Sequence, residues 1–317
     1  MISTMSKPRF VVSLTNRDND YQLLQAASAE EAAHRLGVQV EILSAENDAI
    51  VQSQQLLKPI QSPPEARPIG ILFEPVGGTA LPQVAQAAAS AGIACAILNR
   101  EADYIPALRT RCRLPFFSIT SDHEEIGRIQ GRQFAALLPT GGSVLYIEGP
   151  SASLAAKERT AGMLQTKPSN VEVKTLRGQW TEESGQRAVS SWLRLSTSQL
   201  SHVDLIAAQD DSMAIGARKA FQELSDAAAR DRWLSLPFLG CDGGPSTGQV
   251  WVRRGLLTAT VVIPSNAGQA LELLVRALET KSLPPERTLT VAESAPSLEA
   301  LAKSAKPRAH SAGISRT

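Results

Sequence analysis

Eight side chains stand out because each follows a run of apolar residues and each can make aimed contacts. Asn19 and Tyr21 follow the run 10–14, and Asn99 and Arg100 follow Ile97-Leu98. Arg159 comes after the run 143–147 and its loop, and Trp180 comes after Leu176. Asp210, with Asp211 beside it, follows Ala207-Ala208, and Asp242 follows Gly240. Planar amides, carboxylates and guanidinium groups each form two aligned hydrogen bonds. The vicinal hydroxyls of a sugar offer the matching donors and acceptors. An aromatic face suits the C–H side of a sugar ring, so this mixture points to a cleft for a small polar molecule.

Other chemistries lack their residues. The turn after the first run, Thr15-Asn16-Arg17-Asp18-Asn19-Asp20, has no glycine to admit a pyrophosphate. Thr140-Gly141-Gly142-Ser143 precedes its strand and reads as a turn, and neither a Walker motif nor a nucleophile elbow occurs. His34, His123, His202 and His310 are scattered and read as surface residues. Cys95, Cys112 and Cys241 are odd in number and widely spaced, without metal-ligand spacing. Neither a cofactor nor a metal is expected.

Several of the eight have simpler uses. Trp180 is either packing or a cleft wall, and its place before Thr181, a helix cap, favours the wall. Of Asp210 and Asp211, one is expected to cap the next helix and the other to face the ligand. Arg159 either pairs with Glu148 or Glu158 or contacts ligand. Asp242-Gly243 is an ordinary turn signal that also ends a strand. Tyr104 and Trp233 read as loop residues away from the cleft. Trp251 and Arg253-Arg254 read as one helix surface.

The elements that must position these groups are legible in outline. At 317 residues with 43% hydrophobic content, the chain can bury two cores. With 32 Lys plus Arg against 31 Asp plus Glu, it has no field to gather nucleic acid. No apolar run reaches the roughly 20 residues that span a bilayer. Short Val/Ile/Leu-rich runs at 10–14, 38–43, 69–73, 93–98, 116–119, 143–147, 171–176, 203–207, 237–240, 257–263 and 288–291 read as strands covered on both faces. Helical spacing between them is plain at Met213, Ala217, Ala220, Phe221 and Leu224. Ser121 with Glu124 reads as a capping box, and Gly37 and Gly92 as left-handed C-caps. Repeated β-α-β units call for parallel sheets, and the strand count is high for one. The start, Met1 to Arg9, lacks the apolar stretch of a secretory signal. The expectation is a cytoplasmic protein or one whose leader is not in this sequence. The basic, polar tail 303–317 is expected to be unstructured.

With these residues laid out, the chain resembles the periplasmic sugar-binding proteins of the ribose-binding type and the effector domains of lactose-repressor-like regulators. The resemblance runs from about Arg9 to about Val291. It is carried by Val11-Val12-Ser13-Leu14 with Asn19 and Tyr21, by Leu98-Asn99-Arg100 and by Ile119-Thr120-Ser121-Asp122. It continues in 156–162, 208–216 and Gly240-Cys241-Asp242-Gly243. It implies an α/β fold of the type 1 periplasmic-binding kind, two doubly wound parallel-sheet lobes joined by three crossings. The crossings would lie near Thr120, Ile263 and Thr288. One lobe would hold 1–120 plus 264–288, the other 121–263 plus 289–302. Carried over by position, Asn19, Tyr21, Asn99 and Arg100 would contact ligand from the first lobe. Arg159, Trp180 and Asp210 would do so from the second, with Asp242 also in the cleft. Many ribose-type members have Asp where this chain has Asn99 and an aromatic where it has Cys241, so hydroxyl recognition is expected in outline without ribose being specified. The resemblance implies a receptor for an ATP-driven (ABC) sugar importer at the cell envelope, with its permease as partner. A sensor signalling to a partner protein and a cleft enzyme are the alternatives. A DNA-binding repressor is not expected, because only about ten residues precede the first strand, too few for a helix-turn-helix.

Overall fold

The structure is a computed structural model, and it describes residues 7–77, 80–195 and 202–304. The first stretch of chain alternates strands β1 (Arg9–Leu14), β2 (Gln39–Ser44), β3 (Gly70–Phe73), β4 (Ala94–Leu98) and β5 (Phe116–Ser121) with helices. Those helices are α1 (Asp20–Leu36), α2 (Ala49–Ile60), α3 (Pro82–Ser90) and α4 (Ile105–Cys112). The five strands, with β11 (Arg287–Thr290), form one parallel sheet in the order β11-β5-β4-β3-β1-β2. Alternate residues of β1 face opposite ways. Phe10, Val12 and Leu14 join α1 and α11 (Asn266–Thr280) in one core, and Val11 joins α2 to α4 in another.

The second sheet is parallel too, in the order β7-β6-β8-β9. Its strands are β6 (Gly142–Glu148), β7 (Val171–Arg177), β8 (Leu205–Ala208) and β9 (Phe238–Leu239). It is covered by α5 (His123–Leu137), α6 (Leu154–Thr166), α7 (Glu182–Leu193), α8 (Asp211–Gln222), α9 (Ala227–Leu234) and α10 (Gly248–Arg253). Parallel bridges Leu239 to Ala259 and Asp242 to Val262 lay β10 (Thr260–Val262) beside it. β10 pairs antiparallel with β12 (Glu293–Ala295), and α12 (Leu298–Ser304) follows. The chain therefore passes between the sheets after β5, after β10 and after β11. Ile126, Ile129, Cys241, Val261 and Ile263 pack together near these passages, with Tyr21 and Ala292 against them.

Each of the eleven apolar runs overlaps a strand, and three local expectations are corrected. Asp122, not Ser121, caps α5, its carboxylate accepting from Glu125 N at 2.9 Å. Ser121 instead completes β5, where its hydroxyl accepts from Thr290 at 3.3 Å across the parallel pair with β11. Trp233 lies on α9 rather than in a loop. Its ring stacks on Phe221 (centroids 4.8 Å apart) and meets Trp192 edge-on, so it is core. Helix α12 includes Lys303 and Ser304, while the rest of the expected tail lies outside the described residues. Gly37, at φ 68°, caps α1 as expected.

Two helix pairs on the second sheet approach closely enough to exclude any side chain at the contact. A Cβ on Gly162 of α6 would lie 1.9 Å from the Glu124 carbonyl oxygen of α5. One on Gly216 of α8 would lie 1.9 Å from that of Glu182 on α7. Overpacking of this kind costs roughly 1–3 kcal/mol. Gly162→Ala and Gly216→Ala should therefore each lower the melting temperature by a few degrees in scanning calorimetry. Unchanged melting would mean that the helices separate without penalty.

Candidate functional site: a cleft between the two sheets

The carboxyl ends of strands from both sheets open onto one cavity of about 1160 Å³. Open α/β sheets place ligand sites there because loops at the strand ends are free to diverge. All eight side chains singled out in the sequence line it. Asn19 caps α1, accepting from Gln22 N at 2.9 Å, and Tyr21 sits in the first turn of that helix. Asn99 and Arg100 leave β4, Trp180 leaves β7, and Asp242 lies beyond β9. Asp210 caps α8 directly after β8, and Arg159 reaches in from α6.

Three of these residues have left-handed backbones: Asn99 at φ 54°, Trp180 at 62° and Asp242 at 99°. Such conformations are costly for non-glycine residues and persist where neighbours over-determine them. Asn99 N donates to Ile119 O at 2.8 Å, so the parallel register with β5 holds that turn. Asp242 N donates to Val261 O at 2.9 Å, and its carbonyl accepts from Ile263 N at 3.0 Å.

The centre of the second-lobe wall is Arg159, only 6% exposed. Its Nη1 donates to the Gln209 carbonyl and lies 3.5 Å from Asp242 Oδ1. Its guanidinium carbon is 5.5 Å from the Trp180 ring centroid, within cation–π range. Its Nε is buried without a hydrogen-bond partner. Glu148 is taken up by Arg177 at 3.2 Å and by the Thr160 hydroxyl at 3.0 Å, so the acid beside Arg159 is Asp242. Gln209 is itself fixed: its amide donates to Ala156 O at 3.0 Å and Thr160 Oγ1 at 2.9 Å, and its Oε1 accepts from Gly149 N at 2.9 Å. Any Cβ on Gly149 would fall 2.2 Å from the Trp180 ring, so a glycine is required for the indole to lie there.

The two adjacent aspartates divide their roles otherwise than the sequence suggested. Asp210 does both jobs, capping α8 through Met213 N at 2.7 Å while lining the cleft. Asp211 is a buried brace: its carboxylate accepts from Thr260 Oγ1 at 2.6 Å and Gly243 N at 2.7 Å. Gly240 and Gly248 clear the space it fills, since a Cβ on either would lie 2.0 Å from its oxygens. Burial pushes the Asp242 carboxyl up to about 8; Arg159 opposes this, and Asp210 and Asp20 add to it. Burial likewise pushes Asp210 up to about 6, against the hydrogen bond from Met213.

On the first-lobe wall, Tyr21 Oη and the Asn99 side-chain amide are 3.0–3.1 Å apart, and Gln25 Nε2 donates to Tyr21 Oη at 2.9 Å. Gln25 Oε1 accepts from Ser265 Oγ at 2.6 Å and Ala267 N at 2.9 Å, and Asn266 donates to Asn99. This wall is thereby tied to the start of α11, next to the second passage. The walls also touch directly, Ser212 Oγ donating to Asp20 Oδ2 at 2.9 Å.

Among the lining residues that escaped the sequence reading are Glu74, Tyr104 and His123. Glu74 follows β3 as the others follow their strands, and its Oε2 accepts from Gln22 Nε2 at 2.9 Å. Burial raises its pKa. Tyr104 is on the wall rather than away from it, held by its hydroxyl to Ala80 O. His123 is on the wall rather than the outer surface, and burial, with Arg159 and Arg100 nearby, pushes it down to about 3. Among the described residues no helix is long and apolar enough to cross a membrane.

Comparison with known proteins agrees with this geometry. The family model described as a periplasmic binding protein domain matches residues 10–282. A D-ribose/D-allose-binding protein of Pseudomonas aeruginosa is 28% identical over 225 residues, 68% of this chain and 67% of that protein. An ABC transporter solute binding protein from Bacillus halodurans with bound myo-inositol superposes with a TM-score of 0.74 at 22% identity, covering 96% of this chain and 99% of the other. One from Actinobacillus succinogenes with bound D-allose gives 0.76 at 19% identity, covering 94% and 100%. At these identities the structural likeness is one of fold.

The raised carboxyls have a measurable consequence. Between about pH 4 and 8 folded Asp242 retains a proton that the unfolded chain has released. Its contribution to stability is therefore full below the unfolded value and fades as pH rises through about 8, that of Asp210 fading through about 6. Scanning calorimetry should show the melting temperature falling from pH 5 to 8.5, with a shallower fall in Asp242→Asn. Identical slopes for the two proteins would mean that Asp242 is ionised throughout.

Proposed function

The chain belongs to the periplasmic binding protein domain family, and from that premise we propose that it binds a monosaccharide or related polyol in the cleft and releases it unchanged. The observation that carries this reading is convergence. Trp180, Arg159 and Asp242 stand on one wall, and Tyr21, Asn99 and Arg100 stand on the other, around a single cavity. The indole face packs against the apolar side of a sugar ring while the fixed amide, guanidinium and carboxylate groups pair with its hydroxyls. The relative named for D-ribose and D-allose, and the neighbours holding myo-inositol and D-allose, favour a hydroxyl-rich ligand.

The moving bodies in this reading are the two sheets with their helices, divided after Ser121, near Ile263 and after Thr290. The expected bounds, 1–120 with 264–288 against 121–263 with 289–302, fall inside β5 and β11, which pair in the first sheet to their ends. Ligand reaches the groups of both walls only when they are close, so binding selects the closed arrangement. Solute delivery to the permease of an ABC importer is the role this mechanism serves.

A thermal-shift screen of pentoses, hexoses and polyols tests the proposal. Ligand at about one hundred times its dissociation constant adds about 2.7 kcal/mol of stability, enough for a shift of several degrees. Trp180→Ala should lose saturable binding while remaining folded. Small-angle scattering should show a smaller radius of gyration with ligand. No shift with any sugar or polyol, or unchanged affinity in Trp180→Ala, would sink the reading.

A further inference from the structure

We infer that Glu74 is a specificity-determining contact of the first wall, its carboxylate accepting hydrogen bonds from ligand hydroxyls; this deepens the carbohydrate reading above and rests on it. Glu74 stands at the carboxyl end of β3, half-buried, and lines the cavity. Both its backbone and its side chain are held. Its N–H donates to Ser13 O at 2.9 Å, and its carbonyl accepts from Gln52 Nε2 at 2.8 Å. The same Gln52, fully buried on α2, accepts from Val76 N at 2.8 Å and donates to Ser13 Oγ at 3.1 Å. One side-chain amide thus brackets the turn 74–76 and ties it to β1. The carboxylate is held from α1, where Gln22 Nε2 donates to Oε2 at 2.9 Å and Gln22 Oε1 accepts from Thr15 N at 3.4 Å.

The rest of this wall has few acceptors to spare. Tyr21 Oη and the Asn99 amide bond each other, and Gln25 and Asn266 take up more of their capacity. Glu74 differs. A carboxylate offers about four acceptor positions, and the described residues fill them with two side-chain donors, Gln22 and Asn99. Arg100, on the same wall, favours the ionised form. What the group lacks is donors, and a neutral hydroxyl supplies one. When the walls close over a ligand, water leaves, and the remaining positions go unpaired unless ligand hydroxyls meet them. A sugar without the matching hydroxyl leaves the carboxylate stranded, which is how one fixed acceptor selects among sugars.

The competing account makes Glu74 a brace for α1, its carboxylate serving only Gln22. Asp211 shows what a brace looks like in this protein. It is 3% exposed, its oxygens are taken by Thr260 and Gly243, and it is not among the residues lining the cavity. Glu74 is half-buried and does line the cavity. A brace predicts that removing the charge alters stability but not the choice among sugars.

Deoxy analogues separate the two. Calorimetric titration of the full chain at neutral pH would use D-ribose, D-allose, D-glucose, D-galactose and myo-inositol, each beside its monodeoxy analogues, against the wild type and Glu74→Gln. The glutamine keeps the size of the side chain and still offers Gln22 an acceptor, so the fold is preserved. Parent sugars that bind the wild type should bind Glu74→Gln about tenfold or more weakly, the loss that follows from a hydrogen bond to a charged group. For at least one monodeoxy analogue that loss should shrink by about threefold or more, because the hydroxyl that meets Glu74 is gone. Equal affinity of the two proteins for the parents, or the same loss for the parents and every analogue, would overturn the inference and leave the carbohydrate reading standing. Failure of every one of these sugars to bind the wild type would overturn the carbohydrate reading and the inference with it.

Discussion

A guanidinium taken almost wholly out of water must be met by acceptors, and the second wall of the cleft is organised around meeting that of Arg159. The requirement reaches back into the helix packing. Gly127 of α5 lets α6 approach until a Cβ there would lie 2.0 Å from the Arg159 carbonyl oxygen, which sets where the arginine begins. Gln209 then holds the other end, because its side chain is bonded to α6 and to Gly149 while its carbonyl takes the guanidinium. Gly149 in turn leaves room for the indole over which that guanidinium lies. Asp242 completes the set from a backbone turned to φ 99°. Remove any of these and the cation faces a void or an orphaned carbonyl, which is costlier than losing one hydrogen bond.

The first wall is built on a different principle. It has no ion pair at its centre but a chain of neutral amides and hydroxyls, Asn266 to Asn99 to Tyr21 to Gln25 to Ser265. Networks of this sort fix side-chain positions, although here Asn266 Oδ1 is buried without a partner and the Glu74 carboxylate shares the wall. This one also begins and ends on the residues that open α11, beside the second passage between the sheets. Contacts made by Asn99 and Tyr21 are therefore transmitted directly to the segment about which the two bodies would turn. β5 with β11 and β10 with β12 hold the remaining passages by short strand pairs, so rotation there calls for small dihedral changes rather than for breaking a core.

The parts of this arrangement legible in the sequence are those governed by local rules. The runs over β1, β3, β4 and β8 are largely apolar because those strands are covered on both faces, while the runs over β2, β7 and β11 mark strands that keep exposed residues. Residues just after those runs sit at strand ends, and that placed Asn19, Asn99, Trp180, Asp210 and Asp242 around the cleft. What was hidden depends on neighbours distant in sequence. Glu74 obeys the strand-end rule as well as Asp210 does, but without the partner Gln22 it looks like any charged loop residue. The division between Asp210 and Asp211 is set by Thr260 and by glycines at 240 and 248, none of them adjacent. His123 and Tyr104 carry no local mark of burial, because the wall that covers them arrives from elsewhere in the chain. β12 has only three residues and a polar sequence, so it exists as a strand through β10 alone.

The two walls differ in how much they depend on what enters the cleft. Neutral amides and hydroxyls of the first wall mostly bond one another. The second wall sets Asp242 beside Arg159 and Asp210 at the start of α8, with Asp211 as a brace behind them, and burial raises all three away from their ionised form. Of these, Asp210 and Asp242 line the cavity, where their oxygens can meet donors that arrive from outside. In the proposed reading, a fixed first wall and the acceptors of the second together let the cleft discriminate among ligands. There the first wall would orient the ligand, and contacts to both walls would favour closure.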